Sequence, residues 1–148
     1  MGHIEDLILT PLKVISVSGG DVLHAMKFGD SGYEGFGEAY FSTIDSGVVK
    51  AWKRHRQMTL NLVVPSGEVL FVIYDDRENS ASCGNYQEVT LSRDNFCRLT
   101  VPPMVWMGFQ GVGNNTSMLL NIANIRHSPT EVDRKEMNGI KYNWELIE

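Results

Sequence analysis

Apolar residues in this chain recur at every second position within short runs, and turn residues break the runs at the spacing of a sandwich or barrel. A period of two buries one face of a strand, whereas a helix would repeat every three to four positions. Segment 7–17 predicts an early strand, or a pair broken at Pro11, closed by the turn Ser18-Gly19-Gly20-Asp21. Segment 24–28 leads into a second turn, Gly29-Asp30-Ser31-Gly32. Strands follow over 36–43 and 47–52, on either side of Asp45-Ser46-Gly47. Two more, 59–64 and 68–74, flank Pro65-Ser66-Gly67, which reads as a tight hairpin. Segment 68–74 is apolar almost throughout, so both of its faces are expected to be buried. After a polar loop over 78–85 come strands at 87–91 and 98–101, a turn-rich stretch at 110–116, and an apolar strand at 118–125 interrupted by Asn121 and Asn124. Only 129–137 has helix-like composition, with Ser128 and an early proline as its start signal. The pattern predicts an all-β protein with one short C-terminal helix.

Composition narrows the class. At 148 residues the chain reads as one domain, 1–148, able to bury a core without disulfide or metal staples. Its net charge of −5 argues against nucleic-acid binding, which needs a basic surplus. Cys83 and Cys97 form no CxxC pair, so they read as free thiols in a reducing compartment. There is no apolar run long enough to span a membrane and no leader-like N-terminus, and the expected location is the cytoplasm.

Against that acidic background the stretch Lys50-Ala51-Trp52-Lys53-Arg54-His55-Arg56 stands out as basic. Strand alternation puts Lys53 and His55 on one side and Arg54 and Arg56 on the other. The first pair therefore shares a pocket or faces solvent. Histidine is the side chain best suited to removing a proton beside a ketone near neutral pH. Lys50 and Lys53 could hold a diphosphate, or they belong to a solvated face; Trp52 points away from both, toward a core. Asp75-Asp76-Arg77 reads as a strand-end turn with a salt bridge rather than a catalytic carboxylate pair. Trp106 and Met107 form a bulky wall that either fills the core or stacks on a ligand. Asn121, inside an apolar strand, needs a partner or a ligand, and His127 lies just beyond that strand.

Several blocks occur together in order: Phe36-Gly37-Glu38; the strand from Gly47 to His55; the arm Gly67 to Arg77; Val101-Pro102-Pro103 running through to Gly108-Phe109; His127-Ser128-Pro129-Thr130-Glu131; and Trp144. Over 33–144 this resembles the dTDP-4-dehydrorhamnose 3,5-epimerases of the cupin superfamily. The resemblance implies a cupin jelly-roll barrel and a homodimer that exchanges N-terminal strands. It implies a nucleotide-linked deoxysugar as ligand and no cofactor. In that family a histidine removes a proton next to the sugar ketone, and a tyrosine on a later strand returns one on the opposite ring face. Aligned without gaps, the family histidine falls on Lys53; an insertion of two residues after Trp52 moves it to His55 and recovers His-x-Gln at Gln57. The acid region falls on Arg126 and His127, of which His127 is the residue able to return the proton near neutral pH; a second family histidine falls on Met107, and the diphosphate arginine on Lys50. Phe36, Glu38, Gln57, Asn61, Trp106, Met107 and Asn121 are the remaining expected ligand contacts. Metal-binding cupins need His-x-His with a glutamate and a later histidine, a set this chain lacks, so no metal is expected. The implied activity is epimerisation or isomerisation of a nucleotide 4-keto-6-deoxyhexose during cell-surface polysaccharide synthesis. The altered positions also fit a barrel that binds such a sugar or a glycan without turning it over.

Overall fold

The computed structural model describes residues 2–145. They form twelve strands, two of them paired only with each other. One five-stranded antiparallel sheet has the order β1 (Ile8–Pro11), β9 (Cys97–Val101), β6 (Leu60–Ser66), β11 (Ser117–Ala123), β4 (Glu38–Ile44). The other has the order β12 (Val132–Arg134), β5 (Val49–His55), β10 (Trp106–Gly111), β7 (Glu68–Tyr74), β8 (Tyr86–Ser92). β2 (Val14–Val17) and β3 (Gly20–Leu23) make a separate hairpin. This is the all-β architecture that the pattern predicts, in the cupin-like jelly-roll arrangement that the resemblance implies.

Burial follows the period-two pattern. Leu60, Leu62 and Val64 of β6 and Val69, Phe71 and Ile73 of β7 meet between the sheets, together with Leu99, Met107 and Leu119. The other face of β7 is also covered, because Val72 joins Trp52, Trp106, Ile140 and Trp144 in a second cluster outside the second sheet. The C-terminal segment supplies that cover. Trp52 Nε1 donates to Met137 O at 3.1 Å, and Tyr86 Oη donates to Lys141 O at 2.6 Å.

Two expectations are corrected. Pro65-Ser66-Gly67 does not close a hairpin: β6 and β7 belong to different sheets, and the turn carries the chain from one to the other. Gly67 is required there, since its φ is +84° and a Cβ would lie 2.2 Å from Ser117 Oγ. That hydroxyl accepts the Glu68 amide at 3.0 Å. The expected C-terminal helix is absent among the described residues. Two 3₁₀ turns, Pro129–Glu131 and Met137–Gly139, flank β12 instead. The helix-like composition yields to tertiary pairing, because Val132, Asp133 and Arg134 complete the edge of the second sheet against His55, Arg54 and Lys53.

The strand end after β7 is a buried ionic knot. Asp75 is fully buried; it accepts from Arg77 Nε at 2.9 Å, Ser80 Oγ at 2.7 Å and Ser82 Oγ at 2.6 Å. Arg77 also reaches Glu5 O at 2.9 Å, which ties the N-terminal segment to the loop. Burial alone would raise the Asp75 pKa, but the hydrogen bonds from Arg77, Ser82 and Ser80 outweigh it and hold the carboxyl well below the carboxylate range. A depressed carboxylate contributes stability above its unfolded pKa and loses it as pH falls. Asp75→Asn is therefore expected to cost about 3 kcal/mol at neutral pH. The deficit should shrink below about pH 4. Urea denaturation at several pH values checks both.

Candidate active site

β5 carries the site, and a bulge decides what it presents. Lys53 lies opposite Met107 and Lys50 opposite Phe109, so two residues of β5, Ala51 and Trp52, face the single residue Gly108 of β10. The extra residue lets Lys50 and Lys53 share one face despite their odd spacing, while Trp52 turns into the outer cluster. Gly108 permits this. A Cβ on it would come within 2.7 Å of Ala51 Cβ and 3.2 Å of the Trp52 ring.

Beyond the bulge, alternation resumes. Arg54 stacks over Trp106 at 4.7 Å on the outer side, and with Arg56 it clasps Asp133 at 2.8 and 2.7 Å. Those two arginines hold the Asp133 carboxyl down to about 2. Lys53 and His55 take the inner side.

A cleft of about 600 Å³ opens between the free edges of the two sheets. Met107 and Phe109 line it, Ser42 stands on the β4 wall, and Lys50, Lys53 and Arg134 give it positive charge; Lys135 also borders it, but its ammonium lies 4.7 Å over the outer Trp106 ring. Glu136 is the one acid in the lining. Among the described residues none of these four cations has a carboxylate within salt-bridge distance. Lys50 Nζ donates to the Thr43 carbonyl at 3.1 Å. Partial burial, then the charges of Arg134 and Lys50, push the Lys53 ammonium below its ordinary pKa. Such a surplus suits a polyanion.

His55 ends the Lys53 row, with its side chain 16% exposed. Its Nδ1 is hydrogen-bonded to the buried carboxylate of Glu131. The other Glu131 oxygen accepts the amides of Gln57 and Met58, each at 3.2 Å. Burial raises the Glu131 pKa, but the bonds from His55 and these amides prevail and lower it, so the carboxylate stays ionised. An ionised partner at Nδ1 fixes that nitrogen as the donor and leaves Nε2 to accept. The backbone is pinned as well: His55 O accepts the Met104 amide at 2.7 Å, from the turn that Pro102-Pro103 begins.

Of the other expected site residues, Asn121 faces the barrel interior and donates from Nδ2 to Ser42 Oγ at 3.3 Å. Met107 is in the cleft, whereas Trp106 lies on the far side of β10, its indole N–H on Asp76 at 2.9 Å. Asn61 sits on the outer face of its sheet, bonded to Gly32 O at 3.0 Å and Thr100 Oγ1 at 2.6 Å. Phe36 is 66% exposed ahead of β4, and Gln57 is exposed. Glu38 accepts the backbone amide of the exposed His127 at 2.5 Å. Sequence reasoning missed Glu131 as partner of His55, and Ser42, Arg134 and Lys135 as cleft residues. Glu131 stood in a quoted motif, but nothing local ties it to a strand 76 residues away.

Glu131→Gln is expected to lower stability by about 2 kcal/mol, since it replaces a charge-assisted bond and leaves a buried amide poorly matched. Glu136→Gln, on an exposed residue, should change little. Urea melts of both variants distinguish a paired carboxylate from a peripheral one.

Comparisons with known proteins agree with this geometry. The sequence profile described as dTDP-4-dehydrorhamnose 3,5-epimerase matches residues 14–146. A protein of Haloferax volcanii described as "probable low-salt glycan biosynthesis epimerase Agl13" is 31% identical over 123 residues, 82% of this chain and 79% of that one. The spore coat polysaccharide biosynthesis protein SpsL of Bacillus subtilis is 28% identical over 115 residues, 75% of this chain and 76% of that one. The crystal structure of a dTDP sugar isomerase from Desulfovibrio desulfuricans superposes with a TM-score of 0.92 at 38% identity, covering 95% of this chain and 92% of that one.

Proposed function

Because the chain belongs to the dTDP-4-dehydrorhamnose 3,5-epimerase family, we propose that it epimerises a nucleotide-linked 4-keto-6-deoxyhexose, working as one cofactor-free domain over 1–148. One observation carries this reading: His55, oriented by ionised Glu131, lies two residues beyond Lys53 on β5, and Lys53 lines a cleft with Lys50 and Arg134 that no carboxylate pairs among the described residues. The diphosphate lies against Lys50 and Arg134, which act as charges at the rim. The sugar extends inward over Met107 and Phe109. His55 Nε2 takes the proton from the carbon next to the ketone; the C–H electron pair becomes the enolate. The Lys53 ammonium meets the developing oxyanion. Return of a proton to the other face of the same carbon inverts it, and no redox change is needed. Agl13 and SpsL are named for glycan and coat polysaccharide synthesis, which supports a place in cell-surface sugar supply; the same reading includes a cytoplasmic location. Among the described residues no helix is long and apolar enough to cross a membrane.

A second reading, a barrel that binds a nucleotide sugar without turnover, draws on Met107, buried where the family keeps a second imidazole. Two substitutions separate the readings. His55→Asn is expected to lower kcat by roughly 10² or more while nucleotide-sugar affinity holds. Lys50→Met should do the reverse, weakening binding and reducing its salt dependence. Steady-state kinetics on the nucleotide sugar, with calorimetric titration at two salt concentrations, provides the check.

The same reading includes a homodimer. The β2–β3 hairpin leaves Val14, Ile15, Val17 and Val22 between 38% and 52% exposed and pairs with neither large sheet. So much bare apolar surface on one small element suits a partner subunit. Sedimentation should show a dimer for the parent and a monomer after Ile15→Lys with Val22→Lys, residues that lie opposite each other in the hairpin.

A further inference from the structure

Inversion needs an acid on the ring face opposite His55, and the residues at the expected place do not offer one inside the cleft. Arg126 and His127 follow the end of β11 and are exposed. His127 is tied to Glu38 only through its backbone amide.

The opposite wall is β4, in the other sheet. Its inward row is fixed by alternation: Ile44 is in the core between the sheets, and Ser42 lines the cleft. Tyr40 is next in that row, 46% exposed and just beyond the residues that line the cleft. Across the ladder Tyr40 pairs with Asn121, which also faces inward and holds Ser42. The bond from Lys50 Nζ to Thr43 O fixes how β4 lies against β5 across the cleft. The strands run in opposite directions from their connection at 45–48, so moving from Thr43 back to Tyr40 follows β5 from Lys50 forward to Lys53, beside His55. By this count Tyr40, two residues beyond Ser42 on β4, stands level with the base on β5.

From this placement we infer that Tyr40 is the catalytic acid, delivering the proton to the enolate carbon from the β4 wall while His55 works from β5. The inference rests on the epimerase reading above. In the step, the Tyr40 O–H bond breaks, a C–H bond forms with the enolate electron pair, and the ketone is restored. The phenolate then regains a proton from solvent, and protonated His55 gives up its own. Two features fit the role. The phenol hydroxyl has no hydrogen-bond partner among the described residues, so it is free to donate to a ligand. Burial, then the charge of Glu38, raises its pKa, so it remains protonated at neutral pH.

The test separates proton removal from proton return. In D₂O, with a nucleotide 4-keto-6-deoxyhexose as substrate, NMR follows deuterium entry and formation of the inverted product in the same tube. In Tyr40→Phe, inversion is expected to fall by roughly 10² or more. Deuterium entry with retention should continue, because His55 can return a solvent-derived deuteron to the face it works on; that surviving exchange also shows the site is folded. His55→Asn should lose both. Inversion at the parent rate in Tyr40→Phe would overturn the assignment, as would an equal fall in exchange and inversion, which marks a positioning residue. A parent protein that binds the nucleotide sugar but neither exchanges nor inverts would overturn the epimerase reading itself, and this inference with it.

Discussion

The site depends on satisfying one buried carboxylate. Glu131 lies in a nearly dry position, where an unpaired charge would be prohibitive, and it is held by an imidazole and two backbone amides. Meeting that demand fixes three things together. The amides of Gln57 and Met58 bend the chain out of β5 immediately after His55. The carbonyl of Glu131 accepts the Arg56 amide at 2.7 Å and starts the β12 ladder, which carries Arg134 to the cleft rim. The imidazole, bonded at Nδ1, keeps Nε2 available to a substrate. The orientation of the proposed base and the position of Arg134 thus follow from the same side chain.

The second constraint is the bulge in β5. In an unbroken strand Lys50 and Lys53 would face opposite sides, and only one could serve the cleft. The extra residue, accommodated because Gly108 has no side chain, turns Trp52 outward under the C-terminal segment and brings both lysines inward. Nearby, Arg54 and Arg56 on the outer face are neutralised by Asp133 and Asp76. The basic run in the sequence therefore divides by face: one pair of cations is structural, and the other stays free for a ligand.

Much of this was legible in the sequence, and the losses have specific causes. Period two placed the strands and both buried faces of 68–74, and the quoted motifs brought His55, Lys53, Lys50 and Met107 into consideration. Alternation sent Trp52 away from the lysines, correctly, but could not show the bulge that allows it, since a bulge is a relation between two strands. Trp106 and Met107 read as one wall, although neighbours on a strand point to opposite sides. Asn61 stood in a plausible stretch, yet its face belongs to the outer surface of its sheet, where Thr100 and the Gly32 carbonyl hold it. The supposed helix over 129–137 had suitable composition but contained the residues that complete a sheet edge. Glu131 and Tyr40 were hidden for the same reason: the bond to His55 that Glu131 makes, and the role proposed for Tyr40, depend on a distant strand.

The chemistry then reduces to whether this orientation yields proton transfer. The most direct measurement is solvent-deuterium incorporation by the unmodified protein, followed by NMR, across dTDP-, CDP-, UDP- and GDP-linked 4-keto-6-deoxy sugars. The account predicts deuterium at a carbon adjacent to the ketone, C3 or C5, in at least one of these, together with the inverted sugar. Tight binding of a nucleotide sugar with no deuterium at either carbon would contradict it and leave a barrel that only binds.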